Sequence, residues 1–391
     1  MTPEPVAAEE ARPFQILALS GGGFRGLYTA RILADLEQHI GAHIATRFDL
    51  LAGTSIGGIL ALALANEIAA ERMVQLFEEH GEEIFHRRRI RRMFRSPYTQ
   101  DALRGLLCEQ ELFGDLTLGH AKHPVLVPAI NYSTGQPVIF KTPHHPSFSR
   151  DCQHRLIDIA LATSAAPGYF PRHRFDQCQY VDGGLFANAP GLVALHEARQ
   201  FFAQREEDLR VVAIGTMSSK FTVDPRRSRG GGTYDWGGLN PANMPRRLFG
   251  LAISAQEAMT HHLLRHRLSA DRYHHVDDEL TDARAGAVAL DKTDRAAREV
   301  LIGAARERSK FCLGNVGFLH GPKNLRYSQP RTRSEITFAN AFAQRARWCL
   351  EWSEWSARGS GRRGRGPIKR ACRAPTSLHK RWTGTSACTC R

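Results

Sequence analysis

Three short segments carry residue types that could perform acyl transfer. Gly21-Gly22-Gly23-Phe24-Arg25-Gly26 follows an apolar run and precedes a run with helical spacing. Its successive backbone N–H groups, with Arg25 beside them, can face a developing negative charge. Gly53-Thr54-Ser55-Ile56-Gly57 has the same setting, and its glycines permit a sharp turn that holds out a serine hydroxyl. That hydroxyl needs a base to become a nucleophile at neutral pH. Asp182, followed by Gly183 and Gly184, ends the run Gln179-Tyr180-Val181 and can supply it.

Each motif also has a second reading. Gly-x-Gly-x-x-Gly after a strand is the dinucleotide fingerprint, but that motif wants an acid about 20 residues on, closing the second strand. Here the second strand runs into the Ser55 turn instead. A Walker loop needs Gly-Lys-Ser/Thr, which this loop lacks. Asp-Gly is common in hairpin turns; placing Asp182 at the C-terminal edge of a strand, the same edge as Ser55, favours the base. A histidine-containing triad is the competing mechanism, with His173 and His196 as its candidates.

The elements that must position these residues read as an α/β rhythm. Strands are predicted at Phe14–Leu19, Phe48–Ala52, 125–129, 138–141, 179–181 and 210–214. Helices are predicted at Leu27–Ile40, stopping at Gly41, and at Ile59–Ala65, 155–165 and 192–202. Strand, glycine loop, helix, repeated, indicates a mostly parallel sheet covered by helices. Beyond Thr216 the pattern becomes helical: Arg247–Leu268, with Leu248, Leu251, Ala252, Ala255, Met259 and Leu263 on one face, then Asp291–Arg306 and Ile336–Trp348. Residues 226–232 read as an Arg- and Gly-rich loop.

The chain has 391 residues, 42% hydrophobic and 24% charged, ordinary values for a globular protein with a sizeable core. The net charge of +14 is uneven. Ten Lys and Arg and no acid lie in Arg358–Arg391, leaving about +4 elsewhere. That tail is rich in Gly, Ser, Thr and Pro and is expected to be disordered. Its single aromatic, Trp382, is no stacking groove, which argues against a dedicated nucleic-acid polymer as partner. Arg87–Arg95 interleaves six arginines with Ile90, Met93 and Phe94. It reads equally as a solvated face and as a contact for anionic lipid. His262 and His266 sit at i, i+4, but no carboxylates complete a metal site; neither a metal nor a cofactor is expected. His274, His275, Asp277 and Asp278 likewise read as a polar segment. The eight cysteines are scattered as reduced thiols would be. The first residues lack a basic-then-apolar signal order, and the expected location is cytoplasmic.

In order and spacing, the three motifs resemble those of the patatin-like phospholipases, over roughly residues 14–216. That resemblance implies a three-layer α/β/α fold with a helical C-terminal extension. It also implies a Ser–Asp dyad without histidine. Ser55 would be the nucleophile and Asp182 the base. Gly21, Gly22, Gly23 and Arg25 would form or support the oxyanion hole, and Gly26, Gly53, Gly57, Gly183 and Gly184 would support the motifs. The expected substrate is a phospholipid membrane surface, the products are a fatty acid and a lysolipid, and the active enzyme would lie on the inner face of the membrane. The wording from Leu19 to Arg31, and the segment Gln256–Leu268, are similar to bacterial patatin effectors of cyclic-oligonucleotide anti-phage systems. This implies a cyclic dinucleotide activator bound within residues 216–306 and leaves a homo-oligomer open. The implied organisation is a catalytic core at 14–216, a helical part of the same domain at 217–350 with a ligand-sensing role, and the basic tail at 357–391.

Overall fold

The apolar run Phe14–Leu19 forms strand β1, and the period-two alternation of its side chains divides the core. Leu17 and Leu19 face one side of the sheet; Phe14, Ile16 and Ala18 face the other. The computed structural model describes residues 12–86, 96–217, 244–280 and 287–314. After β1 come α1 (Gly26–Ile40), β2 (Leu50–Gly53), α2 (Ile56–Ala65), α3 (Ala70–Ile84), α4 (Asp101–Leu107), β3 (Val125–Asn131), β4 (Gln136–Lys141) and α5 (Leu156–Thr163). Then follow β5 (His173–Phe175), β6 (Cys178–Asp182), α6 (Gly184–Ala187), α7 (Gly191–Phe201), β7 (Leu209–Ile214), α8 (Met244–Arg267), β8 (Tyr273–Val276) and α9 (Arg295–Gly314).

Neighbouring strands β8, β7, β1, β2 and β3 are parallel. β4 and β6 pair antiparallel with β3, and β5 pairs antiparallel with β6. Helices α1, α2, α3, α5 and α9 bury apolar residues against one face of the sheet, and α7 and α8 against the other. This is the expected three-layer, mostly parallel architecture. α1 stops where predicted: Gly41 takes φ 63° and returns its N–H to the Glu37 carbonyl at 2.9 Å.

The pairing around β3 decides where the chemistry can occur. β4 lies along one edge of β3, from Leu126 to Asn131. The other edge is shared: β2 takes Val125 and Leu126, and β6 takes Ala129, Ile130 and Asn131 from the opposite direction. The C-terminal ends of β2 and β6 therefore face each other across the stretch opposite Val127 and Pro128. The expectation that Asp182 ends a strand at the same sheet edge as Ser55 is corrected here. β6 is antiparallel, and its end meets that of β2 head-on. Pro128 has no N–H to leave unpaired in this gap. Its carbonyl accepts from Thr163 Oγ1 at 2.6 Å, and Thr163 Oγ1 in turn accepts from the Ser55 amide at 3.0 Å.

Two features of the C-terminal part were not specified by the sequence. The polar stretch around His274 is a strand: β8 extends the sheet beside β7, with Tyr273 and Val276 buried. Its histidines hid it, because an edge strand needs only part of one face to be apolar. In α8 the buried residues are Phe249, Ile253, Glu257, Thr260 and Leu264, not the more apolar stripe containing Leu248, Met259 and Leu263. The helix turns its polar Glu257 inward because Asn188 awaits it there. Arg87–Arg95, residues 226–232, the helix predicted at Ile336–Trp348 and the 357–391 tail lie outside the described residues.

Thr163 bridges two backbone groups across the gap, the Ser55 amide and the Pro128 carbonyl. Thr163→Val is expected to destabilise the fold by about 1–3 kcal/mol, whereas Thr163→Ser stays near the parent. Urea denaturation midpoints at constant m-value check this.

Candidate active site

Ser55 sits between β2 and α2 with φ 56° and ψ −126°, in the left-handed half of backbone space where a side chain is strained. The turn is held by close packing. A Cβ at Gly53 would fall on the Gly57 carbonyl, and one at Gly57 would fall on the Leu19 and Ser20 carbonyls. Gly26 opens α1 against Ile56 in the same tight space. Ser55 Oγ donates to Asp182 Oδ2 at 2.7 Å, joining residues 127 apart in the chain. Asp182 Oδ1 accepts from the Gly184 amide at 2.7 Å, and Gly183 lies directly against the Pro128 carbonyl. Both carboxylate oxygens are thus occupied and the group is fixed in one orientation.

Asp182 is 1% exposed. Burial pushes its pKa up to about 7, against the opposing pull of the Gly184 amide and the Ser55 hydroxyl. Desolvation wins because no cation among the described residues neighbours it. A carboxylate poised there can take a proton from Ser55 and return it near neutral pH, the condition for general acid–base work.

The glycine loop closes over this pair. Gly21 donates its N–H to the Asn188 carbonyl at 3.1 Å, Phe24 to Leu290 O at 2.8 Å and Arg25 to Gly22 O at 3.2 Å. Among the described residues the Gly22 and Gly23 amides have no backbone acceptor, and both residues line the cavity with Ser55. Of the four residues expected to form or support an anion cradle, Gly22 and Gly23 therefore face the serine. Gly21 is tied into the frame: its carbonyl accepts from Asn188 Nδ2 at 3.2 Å and Thr216 Oγ1 at 3.0 Å. Arg25 is buried behind the loop, with Nε on Gly22 O at 3.4 Å and Nη1 on Met217 O at 3.1 Å. It braces the loop from behind and does not line the cavity.

Sequence reasoning missed the residues that anchor this brace. Met217 holds φ 57°, and its N–H donates to Asp277 Oδ1 at 2.8 Å. Asp277 closes β8 and also accepts from the Asp278 amide at 3.0 Å. Burial pushes its pKa up to about 7, with Glu257 adding to the shift and Arg25 opposing it. Asn188 Nδ2 also donates to Glu257 Oε1 at 2.6 Å. Asp277 and Glu257 lie far from the motifs in sequence, and only recognising β8 as a strand could have pointed to Asp277.

The cavity over Ser55 is narrow, about 70 Å³ in volume. Ile59, Phe77, Phe85, Leu103, Phe249 and Ile253 are among the apolar side chains lining it. No histidine among the described residues lines it. His173 lies in β5 and pairs with Asp158 at 3.0 Å, and His196 is exposed on α7. His266 Nδ1 donates to the His262 carbonyl at 2.8 Å, and among the described residues no three His, Cys, Asp or Glu group to hold a metal. No described helix is long and apolar enough to cross a membrane.

The family model for patatin-like phospholipase matches residues 17–195. A cGAMP-activated phospholipase of Pseudomonas aeruginosa is 45% identical over 312 residues, covering 78% of this chain and 90% of that protein. Proteins of the same description from Escherichia coli (32% identical, 81% and 93% covered) and Vibrio cholerae (34% identical, 75% and 89% covered) are similar along most of their length.

The direction of the Asp182 shift fixes a pH dependence. Only the ionised carboxylate can accept the Ser55 proton, so reactivity should rise with pH through about 7 and level off above it. The rate of fluorophosphonate labelling at Ser55 across this range checks it. Asp182→Asn should label slowly at every pH.

Proposed function

The chain belongs to the patatin-like phospholipase family, and from that premise we propose that it hydrolyses acyl esters of membrane phospholipids through Ser55 and Asp182. The observation that carries this reading is the 2.7 Å bond from Ser55 Oγ to a buried carboxylate beneath two loop amides that line the cavity. As Ser55 Oγ attacks the ester carbonyl, Asp182 Oδ2 takes its proton. The Gly22 and Gly23 amides receive the oxyanion of the tetrahedral intermediate. Asp182 then gives the proton to the departing lysolipid oxygen. Water, deprotonated by the same carboxylate, releases the fatty acid and restores the serine. The apolar cavity takes the acyl chain, and its walls exclude water from the carboxylate that must stay desolvated.

The enzyme is activated by a cyclic dinucleotide. Support comes from the three cGAMP-activated relatives and from the way the catalytic loop is held. Leu290 and Met217, in or beside the C-terminal part, contact it directly, and Asp277 holds Met217 in place. A ligand that shifts that part changes the support of the oxyanion amides, which is a physical route from a distant site to the chemistry.

Ser55→Ala and Asp182→Ala are each expected to lower lipid hydrolysis by roughly 10³-fold or more, and changes at His173 and His196 to leave it near the parent. Fatty acid release from phospholipid vesicles measures this. Near-normal turnover by Asp182→Asn would refute the dyad. Isothermal calorimetry with cGAMP tests the switch separately: heat of binding and a rise in turnover are expected, and neither would appear if activation does not apply to this chain.

A further inference from the structure

The two faces of α8 have different surroundings. Inward, Phe249 and Ile253 form part of the wall of the cavity over Ser55. Outward, Leu248, Met259 and Leu263 are 41%, 55% and 39% exposed, large values for such side chains. Ala255 and His262 are exposed beside them, and Leu251 and Ala252 are half-buried. Positions 248, 251, 252, 255, 259 and 263 recur at helical spacing and make one continuous stripe.

The exposed charges that α8 itself carries have one sign. The only acid of α8 is Glu257, which is buried and bonded to Asn188. Arg247, Arg265 and Arg267 are exposed on the helix, as are His262 and His266. Arg267 is paired with Glu206. The outward side is therefore apolar in the middle and cationic at its ends.

We propose that α8 is a membrane-docking helix, whose outward face rests on an anionic phospholipid surface. The inference depends on the lipid-hydrolase reading above. An amphipathic helix with an apolar stripe and basic flanks lies in the headgroup region, its apolar side sinking roughly 5–10 Å. The helix is about 10–12 Å across with its side chains, so lipid on the outer face stands one helix diameter from the cavity wall on the inner face. The substrate's acyl chain then has a short path from bilayer to Ser55. A second copy of this chain fits the stripe less well. In a two-fold contact the same patch meets itself, so arginines would face a surface of their own sign.

The test uses the full chain carrying Ser55→Ala, which binds without digesting the vesicles. It is sedimented with phosphatidylglycerol–phosphatidylethanolamine vesicles, with and without cGAMP. Binding is expected in at least one condition, and Met259→Glu with Leu263→Glu should weaken it roughly tenfold or more. In the catalytically intact chain the same pair should leave p-nitrophenyl butyrate turnover and fluorophosphonate labelling near the parent while vesicle hydrolysis falls. Unchanged sedimentation of the double variant, or no binding of the parent in either condition, overturns the docking role. So does ultracentrifugation showing that the substitutions break an oligomer. If the parent neither cleaves the soluble ester nor labels at Ser55, the hydrolase reading fails first, and docking as argued here falls with it.

Discussion

The site depends on two strands sharing one edge of a third. β2 and β6 occupy successive halves of the same edge of β3, with their C-terminal ends facing. Backbone pairing thus delivers a serine and an aspartate to one point from opposite directions. Neither side chain needs to reach far, and the 2.7 Å contact follows from register. Such an arrangement leaves a break in the ladder, and a break normally strands polar groups at a cost of about 1–3 kcal/mol each. Here the break is filled: Pro128 brings no N–H, and Thr163 connects the Pro128 carbonyl to the Ser55 amide.

The loop above the pair depends on the rest of the chain in another way. Its amides are useful only if they stay unpaired, so the loop must be held through its other atoms. Gly21 is fixed at both its N–H and its carbonyl, Phe24 by Leu290, and the Gly22 carbonyl by Arg25. Arg25 in turn leans on Met217, whose left-handed backbone is kept in place by Asp277. A family match ending at residue 195 stops short of these last partners. The C-terminal part is therefore integral to the loop's support, and β8 and α9 extend the sheet and core that carry it.

Much of this was legible in the sequence, and the remainder was hidden for definite reasons. Glycine loops between apolar runs report local backbone demands, so the turn at Ser55, the loop at Gly21–Gly23 and the stop at Gly41 could all be read directly. The direction of β6 could not. A strand of five residues looks the same in either orientation, and only its pairing with β3 distinguishes them. β8 was concealed because Tyr273 and Val276 alone are buried while His274 and His275 interrupt the apolar pattern. In α8 periodicity identified the helix and an apolar face, but it did not reveal which face is buried. Hydrophobicity ranks the stripe of Leu248 and Met259 above Phe249, Ile253 and Glu257, but burial was decided by what waits opposite: a cavity to be walled and an asparagine to be bonded.

The removal of water from Asp182 is both the cost and the means of this chemistry. An exposed carboxylate, with a pKa near its ordinary 3.8, is too weak a base for a serine hydroxyl. Raising it to about 7 means that the folded state binds a proton more tightly than the unfolded state does, so stability declines as pH climbs between those two values. A neighbouring arginine would recover that stability and lower the basicity together. The structure keeps its cation, Arg25, on the far side of the loop, where it pairs with carbonyls and feels Glu257 and Asp277 instead. Two buried acids therefore sit near the same loop with pKa values of about 7 but different neighbours. Asp182 touches the nucleophile, while Asp277 touches only backbone and holds the frame. What separates a proton acceptor from a structural acceptor here is the partner at its oxygen, since burial, aided at Asp277 by Glu257, has brought both to a similar basicity.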